Sequence, residues 1–352
     1  MQGTMRYFLW SFIVTALGLA LAAWLGFVME GGTSGLLSFL LIGALLAVLE
    51  ISLSFDNAIV NANTLKTMSP VWQRRFLTWG ILIAVFGMRL VFPLLIVVVA
   101  AGIGPWEALV LAATQPDEYA HIIEGAHLSI VGFGGAFLMM VGLRFFFHEE
   151  SHHWIPWIER QMAKGAEIYG LDVAVVLVAT LVVSTLLPDD EVATFLYAAV
   201  AGLLTYMVVH SVGQILDAPS AARGAAQGGL GAFLYLEVLD ASFSFDGVIG
   251  AFALTQNLFL IGIGLGIGAM YVRSMTIMLV EKGTLAEFKY LENGAFWSIL
   301  TLSVIMFAQA MVEVPEYITG LLGAGFIGLS LWSSLRARRA GQAPDQVRGA
   351  QV

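Results

Sequence analysis

Residues 7–29 carry no charged side chain, and residues 31–49 carry none either. Each run approaches the roughly 20 helical residues that span a hydrocarbon core about 30 Å thick. The pattern recurs almost to the end of the chain, and it limits the fold more than any other feature. Inside lipid every backbone N–H and C=O must find a partner within the protein, so runs of this length fold as helices. Water is not an alternative solvent. Of 352 residues, 59% are hydrophobic and 12% are charged, about half the charged share of an ordinary soluble domain.

Read against bilayer thickness, the chain offers ten spans: 6–29, 35–60, 76–101, 125–147, 171–187, 190–213, 229–254, 257–280, 294–312 and 315–334. The first follows Arg6 but is too long for the apolar core of a secretory signal, and it reads as a helix. Lys and Arg fall in alternate loops: Lys66, Arg74 and Arg75; Arg160 and Lys164; Arg223; Lys282 and Lys289; then Arg336, Arg338 and Arg339. The loops between them carry acids, among them Glu30, Glu107, Asp189 and Glu313. Basic loops face the cytoplasm, which predicts a multi-pass protein of the inner (plasma) membrane with both termini cytoplasmic. The tail 336–352 reads as a disordered basic segment, and 104–124 as a non-cytoplasmic loop with a short interfacial helix.

Composition removes several functions. There is no cysteine, so thiolate metal sites and thiol redox chemistry are excluded. The net charge of −9 opposes nucleic-acid binding. No phosphate-binding glycine loop of the GxxxxGK[ST] type occurs, and no span holds a His-Glu-x-x-His helix. Neither ATP-driven pumping, nor an enzyme, nor a prosthetic group is expected.

Span two reads Glu50-Ile-Ser-Leu-Ser-Phe-Asp56-Asn57, and span seven reads Asp240-Ala-Ser-Phe-Ser-Phe-Asp246-Gly247. In both, an acid is followed by x-Ser-x-Ser-Phe-Asp, 190 residues apart. A weaker match joins Glu124-Gly-Ala-His127 to Glu292-Asn-Gly-Ala-Phe296. Spans two to four thus recur as seven to nine. Five is an odd shift, so the second copy should cross in the opposite direction. The expected fold is an all-α polytopic protein of about ten helices in two inverted-topology repeats, 1–187 and 188–335. Secondary transporters of this plan carry their substrate at the midplane, between the repeats.

A carboxylate near the bilayer centre costs at least about 2.5–3.5 kcal/mol, and such groups face a cavity or a partner. Glu50, Asp56, Glu237, Asp240 and Asp246 lie inside two spans, while Arg89 and Arg273 are the basic residues deep in spans three and eight. Two arginines cannot neutralise five acids, so the rest need protons or a bound cation. Both arginines should pair with motif carboxylates or freed carbonyls. Carboxylates, the Asn57 amide and the Ser54 and Ser244 hydroxyls are hard oxygen donors, suited to Mn²⁺, Mg²⁺ or Ca²⁺. The six candidate metal ligands are therefore Glu50, Asp56, Asn57, Glu237, Asp240 and Asp246. Asp56 and Asp246, with Glu50 and Asp240 nearest, should share one cavity, where an arriving cation displaces protons.

At 100° per residue, Glu50, Ser54 and Asn57 share one helix face while Ser52 and Asp56 fall on the other. Bringing the acids together asks each motif helix to unwind near its serines. The cluster His148-Glu149-Glu150-Ser151-His152-His153 sits where span four ends and reads as a polar interfacial loop. It would face the cytoplasm as a sensing site if it took a metal. His121, His127 and His210 stand alone.

The Glu-x-x-Leu-Ser-Phe-Asp-Asn pattern at 50–57, with its degenerate copy at 240–247, resembles the TerC family within the LysE-type exporter grouping. The likeness covers about 35–335 and is nearest the branch described mainly as membrane proteins of unknown function. It implies manganese efflux, with Glu50, Asp56, Asn57, Asp240 and Asp246 on the metal. Gly247, where the pattern has Asn, and the extra Glu237 depart from it. Three functions follow as expectations: a divalent-metal exporter, a proton-coupled exporter of another solute such as an amino acid, and an accessory protein that supplies metal to exported proteins.

Overall fold

A computed structural model describes residues 2–80, 83–148, 153–165, 168, 170–217, 229–283, 288–312 and 314–341. Among them there is no strand. The helices are α1 (Gln2–Gly26), α2 (Gly32–Leu53), α3 (Phe55–Thr67), α4 (Pro70–Arg75), α5 (Phe92–Ala101), α6 (Pro105–Thr114), α7 (Pro116–Gly125), α8 (His127–His148), α9 (Pro156–Gly165), α10 (Leu171–Ser184), α11 (Asp189–Asp217), α12 (Leu230–Leu254), α13 (Leu258–Glu281), α14 (Leu291–Gln309) and α15 (Glu316–Gly341). Three further segments, Phe27–Gly31, Phe76–Gly80 and Ile83–Val91, wind more widely as π-helix.

By length and composition six stretches can cross a membrane: Met5–Leu53, His127–Phe147, Asp189–Leu216, Leu258–Glu281, Leu291–Gln309 and Ile318–Arg338. A seventh is added if Gly87–Ala101 and Pro105–Thr114, which meet at a 106° bend, form one span. The sequence reading counts ten, and the differences have physical causes. Met5–Leu53 holds 49 residues, but Gly31 and Gly32 take φ of +76° and +70°, a conformation open to glycine. The stretch turns there, and α1 packs along α2. Predicted span five is a helix of only 14 residues, about 21 Å at 1.5 Å per residue. Helix α12 has 25 residues, but Glu237, Asp240 and Asp246 fall within ten positions of one another. The loop 104–124 contains two short helices, α6 and α7, rather than one. Helix α15 runs to Gly341, so residues 336–341 are helical where the sequence suggests the start of a disordered tail. Residues 342–352 and 149–152, which hold the tail's end and the middle of the His148–His153 cluster, lie outside the described residues.

Two hydrophobic cores hold the bundle. One joins α8, α11 and α14, with Phe137, Phe195, Phe296 and Phe307 buried in it. Its centre is a stacked pair, Phe145 on Phe296, with ring centroids 3.8 Å apart. The other joins α2, α7 and the start of α13 through Leu46, Tyr119, Ile123, Leu260 and Leu265. Several helix contacts of the N-terminal part have a counterpart in the C-terminal part. Helix α1 lies on α2 as α11 lies on α12, α3 on α14 as α12 on α8, and α10 on α8 as α15 on α14. Helices α2 and α3 lie on α13 as α12 lies on the segment Ile83–Val91. Other contacts have no such counterpart, among them the extensive packing of α11 on α8 and that of α1 on α13.

The closest approach in the first core is α11 on α8. A Cβ on Gly202 would sit 2.1 Å from the carbonyl oxygen of Phe133, a backbone atom with no rotamer to escape into. Gly202→Ala must separate the helices, and such overpacking costs about 1–3 kcal/mol. Gly325, beside which a Cβ meets nothing within 4 Å, is the control. In detergent titrations of the purified protein, Gly202→Ala should unfold at clearly lower denaturant, and Gly325→Ala should stay within about 0.5 kcal/mol of the parent.

A candidate cation site at the broken helix

Helix α2 ends at Leu53 because Ser54 leaves the helical range, at φ −100° and ψ 18°. The Ser54 N–H still reaches the Glu50 carbonyl at 2.9 Å, so the chain bends without coming apart, and α3 restarts at Phe55. Asp56 therefore stands in the first turn of a new helix, where exposed N–H groups favour negative charge. Its Oδ1 accepts the Asn57 backbone N–H at 2.9 Å, and its Oδ2 accepts the Ser298 hydroxyl of α14 at 2.8 Å. The expected unwinding thus occurs in the first motif. In the second it does not: α12 continues unbroken from Leu230 to Leu254, and Ser242 donates back to the Val238 carbonyl of its own helix.

Glu50 is 2% exposed and sits in a seat made of glycines. A Cβ on Gly268 would fall 2.3 Å from Glu50 Cγ, and one on Gly247 would fall 3.1 Å from Glu50 Oε2. Gly247 stands in the second motif where the first has Asn57, and its lack of a side chain leaves space for the acid of the first. Glu50 Oε1 accepts the Ser54 hydroxyl at 2.9 Å and is ion-paired with Arg89, itself buried.

Glu50, Ser54, Asp56 and Asn57 line one cavity of about 20 Å³, closed by Phe243, Gly247, Ser298, Thr301, Thr319 and Gly323 among others. A single water needs about 10–15 Å³ of such space. Asn57 is 6% exposed, and its Oδ1 is buried without a hydrogen-bond partner among the described residues. A buried acceptor left open is uncommon and calls for an explanation.

Glu237 and Asp240 do not line this cavity, although Asp240 lies within electrostatic reach of Glu50 and Arg89. Asp240 Oδ1 accepts the Asn61 amide at 2.9 Å, tying α12 to α3. Both Glu237 oxygens are buried without a hydrogen-bond partner among the described residues, and a Cβ on Gly80 would touch Oε1 at 2.7 Å. Arg273 takes a freed carbonyl: its Nε and Nη2 donate to the Leu77 oxygen at 3.0 and 2.7 Å, inside the wide-wound turn Phe76–Gly80. Ser244 is buried. Asp246 lies on α12, and its side chain is outside those described. Among the described residues, no three His, Asp or Glu side chains converge tightly enough to hold a metal by themselves. Of the four carboxylates expected to share one cavity, Glu50 and Asp56 line it with an amide and hydroxyls, and Asp240 bonds Asn61. Of the histidine cluster, His153 Nδ1 stands 3.7 Å from Glu159, a buried acid that also accepts the backbone N–H groups of Trp154 and Ile155 and the side chains of Asn293 and Trp297.

Sequence reasoning missed Ser298, Thr301, Thr319, Gly268 and Gly80. The run Gly262-Ile-Gly-Leu-Gly-Ile-Gly268 was the readable signal, since alternate glycines in an apolar span admit close neighbours.

These features define an all-helical, multi-pass membrane protein with a small polar cavity at a broken helix. The sequence profile of the family described as Protein of unknown function (DUF475) matches residues 55–341, and the chain belongs to that family. No curated protein and no solved structure matches it.

Breaking a buried ion pair by removing one partner typically costs about 3–5 kcal/mol. Arg89→Met should lower stability by that order. The double variant with Glu50→Gln should lose less than the sum of the two single losses. Denaturant titrations of the four proteins measure the coupling, and additive losses would show that the pair contributes nothing.

Proposed function

We propose that the chain is a secondary transporter exporting a divalent metal cation, manganese first, by alternating access between two inverted halves of five crossings each. The observation that carries the reading is the open Asn57 acceptor beside Glu50 and Asp56, in a cavity sized for one water or one bare ion. Two carboxylates, an amide oxygen and hydroxyls form a hard donor set of the kind that takes Mn²⁺, Mg²⁺ or Ca²⁺. An amino acid would need far more space. The break at Ser54 supports the reading too, since interrupted helices line the substrate sites of such transporters. So do the helix contacts that recur between the N-terminal and C-terminal parts. The resemblance of the motif to the TerC family points the same way.

On this reading Arg89 holds Glu50 while the cavity is empty, and an arriving cation competes with it. The protein sits in the inner membrane with both termini cytoplasmic, so export starts from the side of the Lys- and Arg-rich loops. Asp246, the repeat counterpart of Asp56, contributes from the second motif.

Asp56→Asn should cut Mn²⁺ uptake into inverted membrane vesicles at least tenfold while leaving the protein inserted, because a neutral amide costs less in lipid than a carboxylate. Asp246→Asn should do the same. Asn57→Ala should change the preference among Mn²⁺, Mg²⁺ and Ca²⁺ more than the rate. If both Asp→Asn variants move Mn²⁺ at the parental rate, the acids are structural and the proposal fails.

A further inference from the structure

A second cavity, of about 280 Å³, lies among α3, α8, α11, α12 and α14, and its chemistry is the reverse of the first. Asn63, Arg144, Phe145, Tyr206, His210 and Tyr235 line it, and no Asp or Glu among the described residues does. Arg144 is ion-paired, but the pair is oriented. Its Nη1 reaches Asp172 Oδ2 at 3.3 Å, a long contact, and the guanidinium side is 35% exposed against 5% for the acid. Asp172 Oδ1 is turned to its own backbone, accepting the Val173 N–H at 2.9 Å. The cationic end of the pair therefore faces the cavity, and the anionic end is held behind it.

His210 adds no negative charge. Its Nε2 lies 3.3 Å from Arg144 Nη2 and 3.0 Å from Gln214 Nε2. The walls are flat. Tyr206 stacks on His210 at 5.8 Å with 7° between planes, and Phe145 stacks on Phe296. Small-molecule pockets begin at about 300 Å³ and are mostly apolar with a few polar groups that fix orientation. This cavity has that size and that make-up.

We propose that this cavity binds a small organic anion, its carboxylate or phosphate oxygens on Arg144 and its body against the aromatic walls. Arg is the residue suited to planar or phosphate oxygens, through parallel N–H donors. A bare inorganic anion would leave most of the space unfilled. The site is separate from the cation cavity and does not rest on the transport reading. The anion reaches it either as a free metabolite or as the headgroup of an anionic lipid.

The test uses the full-length protein in phosphatidylcholine nanodiscs without added metal, titrated with sodium benzoate and, separately, with sodium acetate. Thermal unfolding is the readout, because a ligand that binds only the folded state raises its stability. Benzoate should raise the unfolding temperature in a saturable way, and acetate should do so more weakly. Arg144→Gln should weaken benzoate binding at least about tenfold, the loss expected for a charge-assisted hydrogen bond. Asn63→Leu, which fills the cavity from α3 without touching the ion pair, should also weaken it and covers the case in which Arg144→Gln fails to fold. Asp172→Asn should tighten it by releasing the guanidinium. If phosphatidylglycerol nanodiscs stabilise the parent but not Arg144→Gln, while benzoate does nothing, the anion is a lipid headgroup. If neither benzoate nor phosphatidylglycerol stabilises the parent, or if both cavity variants bind benzoate as the parent does, the proposal is overturned.

Discussion

Placing a carboxylate in the middle of an apolar bundle is the constraint on which the rest of this structure depends. Glu50 has almost no contact with solvent, and an unpaired charge there would be very costly. Three features answer that cost together. Arg89 supplies the opposite charge, the Ser54 hydroxyl supplies a hydrogen bond, and two glycines supply the space. The glycine at 268 lets α13 come within reach of α2, so the seat for the acid is also a helix contact. Asp56 is served differently, by a helix start and the hydroxyl of Ser298 from α14. Each acid is thus held by a group distant in sequence, and the polar site and the packing of the halves form one arrangement.

Regular helix is interrupted where the polar chemistry lies. Ser54 separates α2 from α3, and the segments Phe76–Gly80 and Ile83–Val91 wind widely enough to leave carbonyls for other partners. Arg273 takes one of them, at Leu77. π-helical turns recur at functional sites because they offer backbone groups that a regular helix has already used. The two arginines consequently play unlike parts: Arg89 balances an acid, and Arg273 holds a turn.

Helix α3 links two cavities of opposite character. Asn57 lines the smaller one with Glu50 and Asp56, and Asn63 lines the larger one with Arg144. Six residues of helix separate them, about 9 Å along its axis. Between them Asn61 bonds Asp240 of α12. The short helix α3 therefore touches an acidic cavity through Asn57, α12 through Asn61 and, from its opposite face, a basic cavity through Asn63.

The sequence by itself determined the apolar runs, the helices and which acids lie within them. Uninterrupted apolar runs admit one kind of backbone in lipid, so every predicted span found a helix in the described residues, even where length or charge kept it from counting as a full crossing. The motif at 50–57 was legible because charge and hydroxyls inside an apolar run are rare enough to stand out. Which acids meet was decided by the tertiary structure alone. Glu50 and Asp56 share a cavity through the bend at Ser54, whereas Asp240 and Glu237, on the unbroken α12, face Asn61 and Gly80 instead. The identity of neighbours from other helices, Ser298 and Gly268 above all, depends on packing between segments more than 200 residues apart. No local pattern encodes such pairings, because a serine or a glycine in an apolar span reads the same whether it faces lipid, another helix or an ion.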